Sequence, residues 1–197
     1  LATGSVALGG GVWSMHFIGM LAFALCTSVN YSPGLTLLSM LPSIAASWVA
    51  LALISKKQLR SLQLLSGGVL VGAGIGTMHY MGMAAMQMSV ALRYDLPMFL
   101  LSIVVAVVLA VLALWVRFGL KRFNLSANAL TLLSSLVMGA AIAGMHYTGM
   151  AAARFVPPQD FIAGDTASDI SWLLALGVAF TTVVITGLVV VVNLLLK

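Results

Sequence analysis

Charge is scarce in this sequence. Nine basic and four acidic residues make up 7% of 197 residues, where an ordinary soluble domain carries about 25%. Hydrophobic residues reach 62%, and mean hydropathy is +1.15. That balance excludes a soluble globular domain and points to an integral membrane protein. A lone cysteine, Cys26, excludes an internal disulfide and leaves the redox compartment open. No basic n-region precedes the first apolar segment, so no cleavable signal peptide is evident. No carboxylate falls inside an apolar run, which excludes a carboxylate-rich iron site. The net charge of +5 does not mark a nucleic-acid binder, because the charges sit in short clusters between apolar runs. The chain begins at Leu1 and ends at Lys197, directly behind an apolar run. The expectation is a membrane module within a larger protein.

Apolar runs of about 20 residues, enough to cross a ~30 Å hydrocarbon core as helices, lie near 4–28, 35–55, 63–88, 97–116, 126–152 and 172–195. They do not alternate apolar with polar residues, which argues against a porin-like barrel. Lys56, Lys57 and Arg60 follow span two, Arg117, Lys121 and Arg122 follow span four, and Lys197 follows span six. The opposite side holds Arg93, Arg154, Asp95, Asp160, Asp165 and Asp169. The excess of Lys and Arg predicts that the first side is cytoplasmic, with both ends inside. Tyr31, Tyr94 and Trp172 fall near the predicted outer boundary.

Histidine is nearly as rare as cysteine, and its placement is not random. "GGGVWSMHFIGM" from 9, "GAGIGTMHYMGM" from 72 and "GAAIAGMHYTGM" from 139 align without gaps. The three histidines of the chain, His16, His79 and His146, occupy the same place in each. Each interval holds a pair of spans, so the chain reads as three helix hairpins in tandem, about 1–60, 61–122 and 123–197. Parallel repeats of this kind are related by an axis along the membrane normal. Spans one, three and five carry the Gly, Ala and Ser that allow close helix approach in lipid. The expected fold is an all-α membrane protein of six transmembrane helices with pseudo-threefold symmetry. Spans one, three and five would be inside and two, four and six largely lipid-facing. Pro42 would kink span two or be accommodated by neighbouring helices.

Residues four apart share a helix face. His16 therefore stacks with Met20, His79 with Met83 and His146 with Met150. Met15, Met78 and Met145 sit ~100° round the helix from their histidines. The glycine seven residues before each histidine is on the histidine's stripe and would leave room for a neighbouring helix. The histidines share a depth in the outer half of the bilayer. Three imidazoles with thioethers one turn away suit copper, Cu(I) above all, better than Mg, Ca or Mn. Zinc through three histidines is an alternative, and ligand type alone leaves a bis-histidine haem open. A buried histidine is often a helix–helix hydrogen-bond partner, and methionine a core filler. Threefold recurrence of a costly intramembrane group outweighs those readings in favour of a metal site. Met86 and Met88 continue span three outward and would either help load a soft metal or line a core. Arg93, Arg154 and the four aspartates are expected to be solvated loop charges.

"MHYT" at 145–148, "MHYM" at 78–81 and "MHFI" at 15–18 carry a family likeness. Over essentially its whole length the chain resembles the MHYT domain of bacterial membrane sensors. The resemblance implies copper held by His16, His79 and His146 with motif methionines, and sensing of a diatomic gas such as oxygen, carbon monoxide or nitric oxide. It also implies a bacterial inner-membrane location. A cytoplasmic diguanylate cyclase or cyclic-di-GMP phosphodiesterase domain would follow Lys197, and a homodimer is common with such an output. Phe17, Ile18 and Met81 depart from the motif, so its third and fourth positions are not implied as ligands.

The expectation is therefore a sensory module that is not itself an enzyme, sensing a gas, redox or metal status. A copper conduit is the rival from another class, but it needs ligands at several depths, and the motif ligands form one layer. A metal-free structural histidine cluster is the remaining alternative. An oxidoreductase is disfavoured, since the motif's titratable groups are its histidines and tyrosines alone.

Overall fold

The computed structural model describes residues 1–23, 29–56, 58–119, 126–158 and 172–195. Cys26, Lys57, Lys121, Arg122, Asp160, Asp165, Asp169 and Lys197 lie outside them. The helices are α1 (Ala2–Leu21), α2 (Pro33–Leu38), α3 (Met40–Ile54), α4 (Ser61–Ala84), α5 (Leu96–Gly119), α6 (Ala127–Ala152) and α7 (Trp172–Leu195). Four short strands, β1 (Asn30–Tyr31), β2 (Met86–Gln87), β3 (Ala91–Tyr94) and β4 (Ala153–Val156), join them at one end. Helices satisfy their own backbone groups, which lipid requires. Their outward faces are greasy: Leu62, Leu173, Phe180 and Val183 are each more than 70% exposed. This is a multi-pass helical membrane protein.

Among the described residues, five helices are long and apolar enough to cross a membrane: Pro33–Ile54, Ser61–Ala84, Leu96–Val116, Asn128–Ala152 and Trp172–Val192. The first helix is long enough, at 20 residues, but less apolar. It carries Gly4, Gly9, Gly10, Gly11, Gly19, Ser5, Ser14 and His16, whose small or polar side chains suit an interior position. Two expected boundaries are too long. Span one stops at Leu21 and span three at Ala84, and β2 takes the residues where span three was expected to continue.

α1, α4 and α6 meet around the histidines, and α3 and α5 wedge between them. α3 packs on both α1 and α4, and α5 on both α4 and α6. α7 rests on α1 and has little contact with α6. The wedged helices still face outward over most of their length, and each buries one stripe of small residues: Ser43, Ala46, Ser47 and Ala50 of α3, and Ala106, Ala110 and Ala113 of α5. The glycines seven residues before the histidines explain the close approach. A Cβ on Gly9 would lie 2.6 Å from Ile44 Cα, and one on Gly72 2.8 Å from Val107 Cα. A Cβ on Gly139 would meet nothing within 4 Å. Gly9→Ala and Gly72→Ala should therefore each destabilise the bundle by about 1–3 kcal/mol through overpacking. Gly139→Ala should be neutral or stabilising by up to about 1 kcal/mol through helix propensity. Thermal unfolding in detergent reads the difference.

Span two is broken where its proline dictates. Pro42 has no N–H to give the carbonyl of Leu38, and α2 ends at that residue. Trp13 pins the break to α1: its Nε1 donates to Thr36 O at 2.8 Å and lies 3.2 Å from Ser39 Oγ. At the end of the bundle nearer the histidines, β1 pairs antiparallel with β2 and β3 with β4. The second pairing sets Arg93 opposite Arg154. Arg154 relieves that repulsion by reaching Ala151 O at 3.0 Å and Asp95 at 4.0 Å, an exposed ion pair of small energetic weight.

Candidate metal centre

His16 on α1, His79 on α4 and His146 on α6 converge at the centre of the bundle, 0%, 1% and 3% exposed. They reach it because the motif occupies the same turn in each helix. His16 Nδ1 lies 3.2 Å from His146 Nδ1 and 3.1 Å from His79 Nδ1. One nitrogen from each ring falls within 4.8 Å of the others. The rings stand edge-on, with interplanar angles of 80–84°.

The far side of each ring faces a glycine from another repeat. A Cβ on Gly82 would collide with His16 Nε2, one on Gly149 with His79 Nε2, and one on Gly19 with His146 Nε2. Each of these glycines lies three residues after a motif histidine, so every repeat offers one imidazole and one cradle. The hand-off is cyclic: α1 to α4, α4 to α6, α6 to α1. Nε2 of His16 and of His79 is fully buried with no partner among the described residues.

The methionines fall into two groups. Met78 and Met145 are buried and, with half-buried Met15, pack in an apolar cluster with Val12, Val71, Ile75 and Ile142, all earlier in their helices than the histidines. Met20 and Met83 are buried and, with half-buried Met150, pack with Ala153, Tyr31, Met86 and Phe155 beyond them. The methionines thus form two apolar layers along the helices on either side of the histidines, and the ring nitrogens alone are brought together as a ligand set. The third motif position varies in role. Phe17 is buried against Trp13, Leu174 and Val178, Tyr80 bonds Ser102 Oγ at 2.6 Å, and Tyr147 is 69% exposed. Thr148 turns its hydroxyl back to Gly144 O at 2.8 Å, away from any ligand role. Burial pushes the hydroxyl of Tyr31, beside Phe17, up to about 12.

A neutral imidazole has one N–H and one lone pair. If the protons sit on the outward Nε2 atoms, three lone pairs face one point with nothing between them. If they sit on Nδ1, the contacts around His16 cannot all be hydrogen bonds, since one ring nitrogen is a donor or an acceptor but not both. A mixed set, with the His16 Nδ1–H shared between the other two rings, makes a metal-free seam, whereas the all-outward set would hold a cation at the shared point. Ligand nitrogens about 2.0 Å from a tetrahedral or trigonal ion lie about 3.3–3.5 Å apart, close to the two spacings through His16, and the third pair falls within 4.8 Å. The residues fit a three-nitrogen metal site, with no carboxylate at hand for a hard ion.

Comparison with known proteins places the chain. The family model described as "Bacterial signalling protein N terminal repeat", MHYT, matches residues 9–67, 72–135 and 139–196. The chain belongs to the MHYT family. Its three matches begin where the three motif segments begin. The bifunctional diguanylate cyclase/cyclic di-GMP phosphodiesterase MucR of Pseudomonas aeruginosa is 44% identical over 94% of this chain and 27% of its own length. The cyclic di-GMP phosphodiesterase NbdA of the same organism is 39% identical over 76% of the chain and 19% of its own. The signaling protein YkoW of Bacillus subtilis is 38% identical over 79% and 20%. The chain thus spans about a quarter or less of these relatives, and it corresponds to their MHYT signalling region. No solved structure matches it.

Sequence reasoning singled out the three histidines that converge, expected one layer of motif ligands where the methionines form two clusters, and missed the cradles. It treated Gly19, Gly82 and Gly149 as motif letters without a task. The signal was present in the fixed three-residue offset from each histidine.

Proposed function

We propose that this MHYT domain is a six-span metal-dependent sensor of the bacterial inner membrane, with both ends cytoplasmic and α1 the first span. His16, His79 and His146 hold the ion through Nδ1, with motif methionines around it. Copper, with zinc as the alternative, matches the soft nitrogen–sulfur surroundings. Bound there, copper supplies a redox-active centre able to take a diatomic ligand such as oxygen, carbon monoxide or nitric oxide. The protein keeps the site dry, fixes the ring tautomer and ties the three inner helices to one point. The two Nδ1 contacts of His16, 3.2 Å to His146 and 3.1 Å to His79, within a triad whose ring nitrogens all fall within 4.8 Å, carry this reading. Elemental analysis of the detergent-purified protein tests it. About one copper per chain is expected, and no metal after Cu(I) loading would leave a packed histidine seam instead.

The output is proposed to be a cyclic-di-GMP enzyme domain on the same polypeptide, as the relatives' names imply for them, and the full protein is proposed to act as a homodimer. The path outward runs through α1. Ser14, two residues from His16, bonds Thr182 of α7 across 2.7 Å, and Gly10 leaves room for Ile185. Leu174 and Val178 of α7 pack on Trp13 and Phe17. A shift of His16 therefore loads the last helix directly. In the full-length protein, the Ser14→Ala/Thr182→Val pair should keep its metal yet lose most of the stimulus-dependent change in cyclic-di-GMP. An unchanged response would place the path elsewhere.

A further inference from the structure

The three repeat junctions are alike in sequence but not in closure. Helix α3 covers the junction of α1 with α4, and α5 covers that of α4 with α6. Among the described residues, no helix packs on both sides of the junction of α6 with α1, because α7 rests mainly on α1 and has little contact with α6. Equivalent residues register the difference. Gly82 and Gly149 are buried, whereas Gly19 is half-buried. Ala85 and Ala152 are both 0% exposed, whereas their counterpart Ala22 is exposed. Met20 and Met83 are buried, whereas Met150 is half-buried. At this third junction lies an open cleft of about 390 Å³, lined by Gly19, Ala22, Phe23, His146, Met150 and Ala151 among others. His146 is the triad member in that lining.

We propose that the α1–α6 cleft is the single way in to the histidine triad. A soft cation, Cu(I), passes Met150 and meets His146 first, and any small uncharged ligand of the loaded site follows the same path. This rests on the metal reading above, and it adds a direction and a size limit. The physical case is asymmetry. His16 and His79 present Nε2 to Gly82 and Gly149 with no accessible surface, so reaching either demands that two packed helices separate. His146 borders space already open. Apart from His146 and Tyr147 the walls are small or apolar, with a thioether at Met150 to receive a soft ion. Among the described residues they hold no carboxylate to draw in Mg or Ca. Gly19, Ala22 and Ala151 set the width, so they are the specificity-determining positions.

Two measurements on the metal-free protein in detergent test this. The first is carbethoxylation with diethyl pyrocarbonate, mapped by mass spectrometry. His146 should react at least about tenfold faster than His16 and His79, because the latter wait for local opening. Equal reactivity of the three, or faster reaction at His16 or His79, would overturn the proposal. The second is Cu(I) uptake from its bicinchoninate complex. The Ala22→Trp/Ala151→Trp variant fills the cleft at two exposed positions. It should slow uptake and His146 carbethoxylation about tenfold while the final copper content is unchanged, a gating effect on the opening path. Leu132→Trp, on an exposed part of α6 away from the cleft, should leave both rates as in the wild type. Wild-type uptake rates in the cleft-filled variant would refute the route. If the wild type takes up no copper, the metal reading fails, and the carbethoxylation pattern still decides whether the cleft is the way in.

Discussion

Replacing His16 with alanine is expected to abolish tight copper binding. Both close Nδ1 contacts run through His16, at 3.1 and 3.2 Å, so its loss removes a ligand and unties the other two rings. Changing a residue that merely supports a metal ligand costs about 10–100-fold in affinity. Loss of the ligand itself should therefore exceed about 100-fold, or about 2.7 kcal/mol. Stability gives an independent readout. A site filled at 1,000 times its dissociation constant stabilises the folded protein by about 4 kcal/mol. Wild-type protein should melt at a higher temperature when Cu(I) is supplied, and the His16→Ala protein should not respond. The bland alternative predicts otherwise. In a hydrogen-bonded seam, His16→Ala lowers the melting temperature with or without copper, and added copper moves neither protein. His79→Ala and His146→Ala should resemble His16→Ala in copper response.

Much of this was legible in the sequence because membrane folds obey few rules. Apolar length gave the helices, and the period of about 65 residues between histidines gave the repeat. Side-chain size then separated inner from wedged helices. What escaped were features set by contacts between distant residues. The short strands at Asn30–Tyr31 and Ala91–Tyr94 find their partners at Met86–Gln87 and Ala153–Val156. Two-residue strands have no period to read. The break at Ser39 was half visible, since Pro42 announced trouble without saying that α2 would end four residues before it. The burial of Ser43, Ala46, Ser47 and Ala50 was likewise readable as a small-residue face of span two. The more apolar character of spans four and six drew attention away from it.

The lapse of symmetry in the third repeat is the part sequence could not supply. Gly139 matches Gly9 and Gly72 letter for letter, yet it faces open space. α7 is branched and apolar along its length and carries Thr182, which finds Ser14 on α1. One hydroxyl pair and a seat for Ile185 over Gly10 favour α1, and α6 offers no comparable partner among the described residues. That choice leaves Tyr147 exposed where Phe17 is buried.

The same asymmetry sets the order of a second large effect, that of alanine at the three cradles. A methyl group on Gly82 would occupy the place of His16 Nε2, and one on Gly149 that of His79 Nε2. Neither ring can retreat, because its Nδ1 side faces the other two imidazoles and its flanks are packed helix. Overpacking of this kind costs about 1–3 kcal/mol. Here it also swings the imidazole off the common point, which a metal site tolerates poorly: misplacement of a supporting group already costs about 10–100-fold in affinity. Gly82→Ala and Gly149→Ala should therefore lower both the melting temperature and copper content. Gly19→Ala crowds His146 in the same way, but His146 borders the open cleft and can turn into it. Its melting temperature should fall less, while its copper affinity still drops. If all three variants lost stability equally, the third junction would be as tight as the others. If none lost copper, the glycines would be packing devices alone and the imidazoles would not need their present aim.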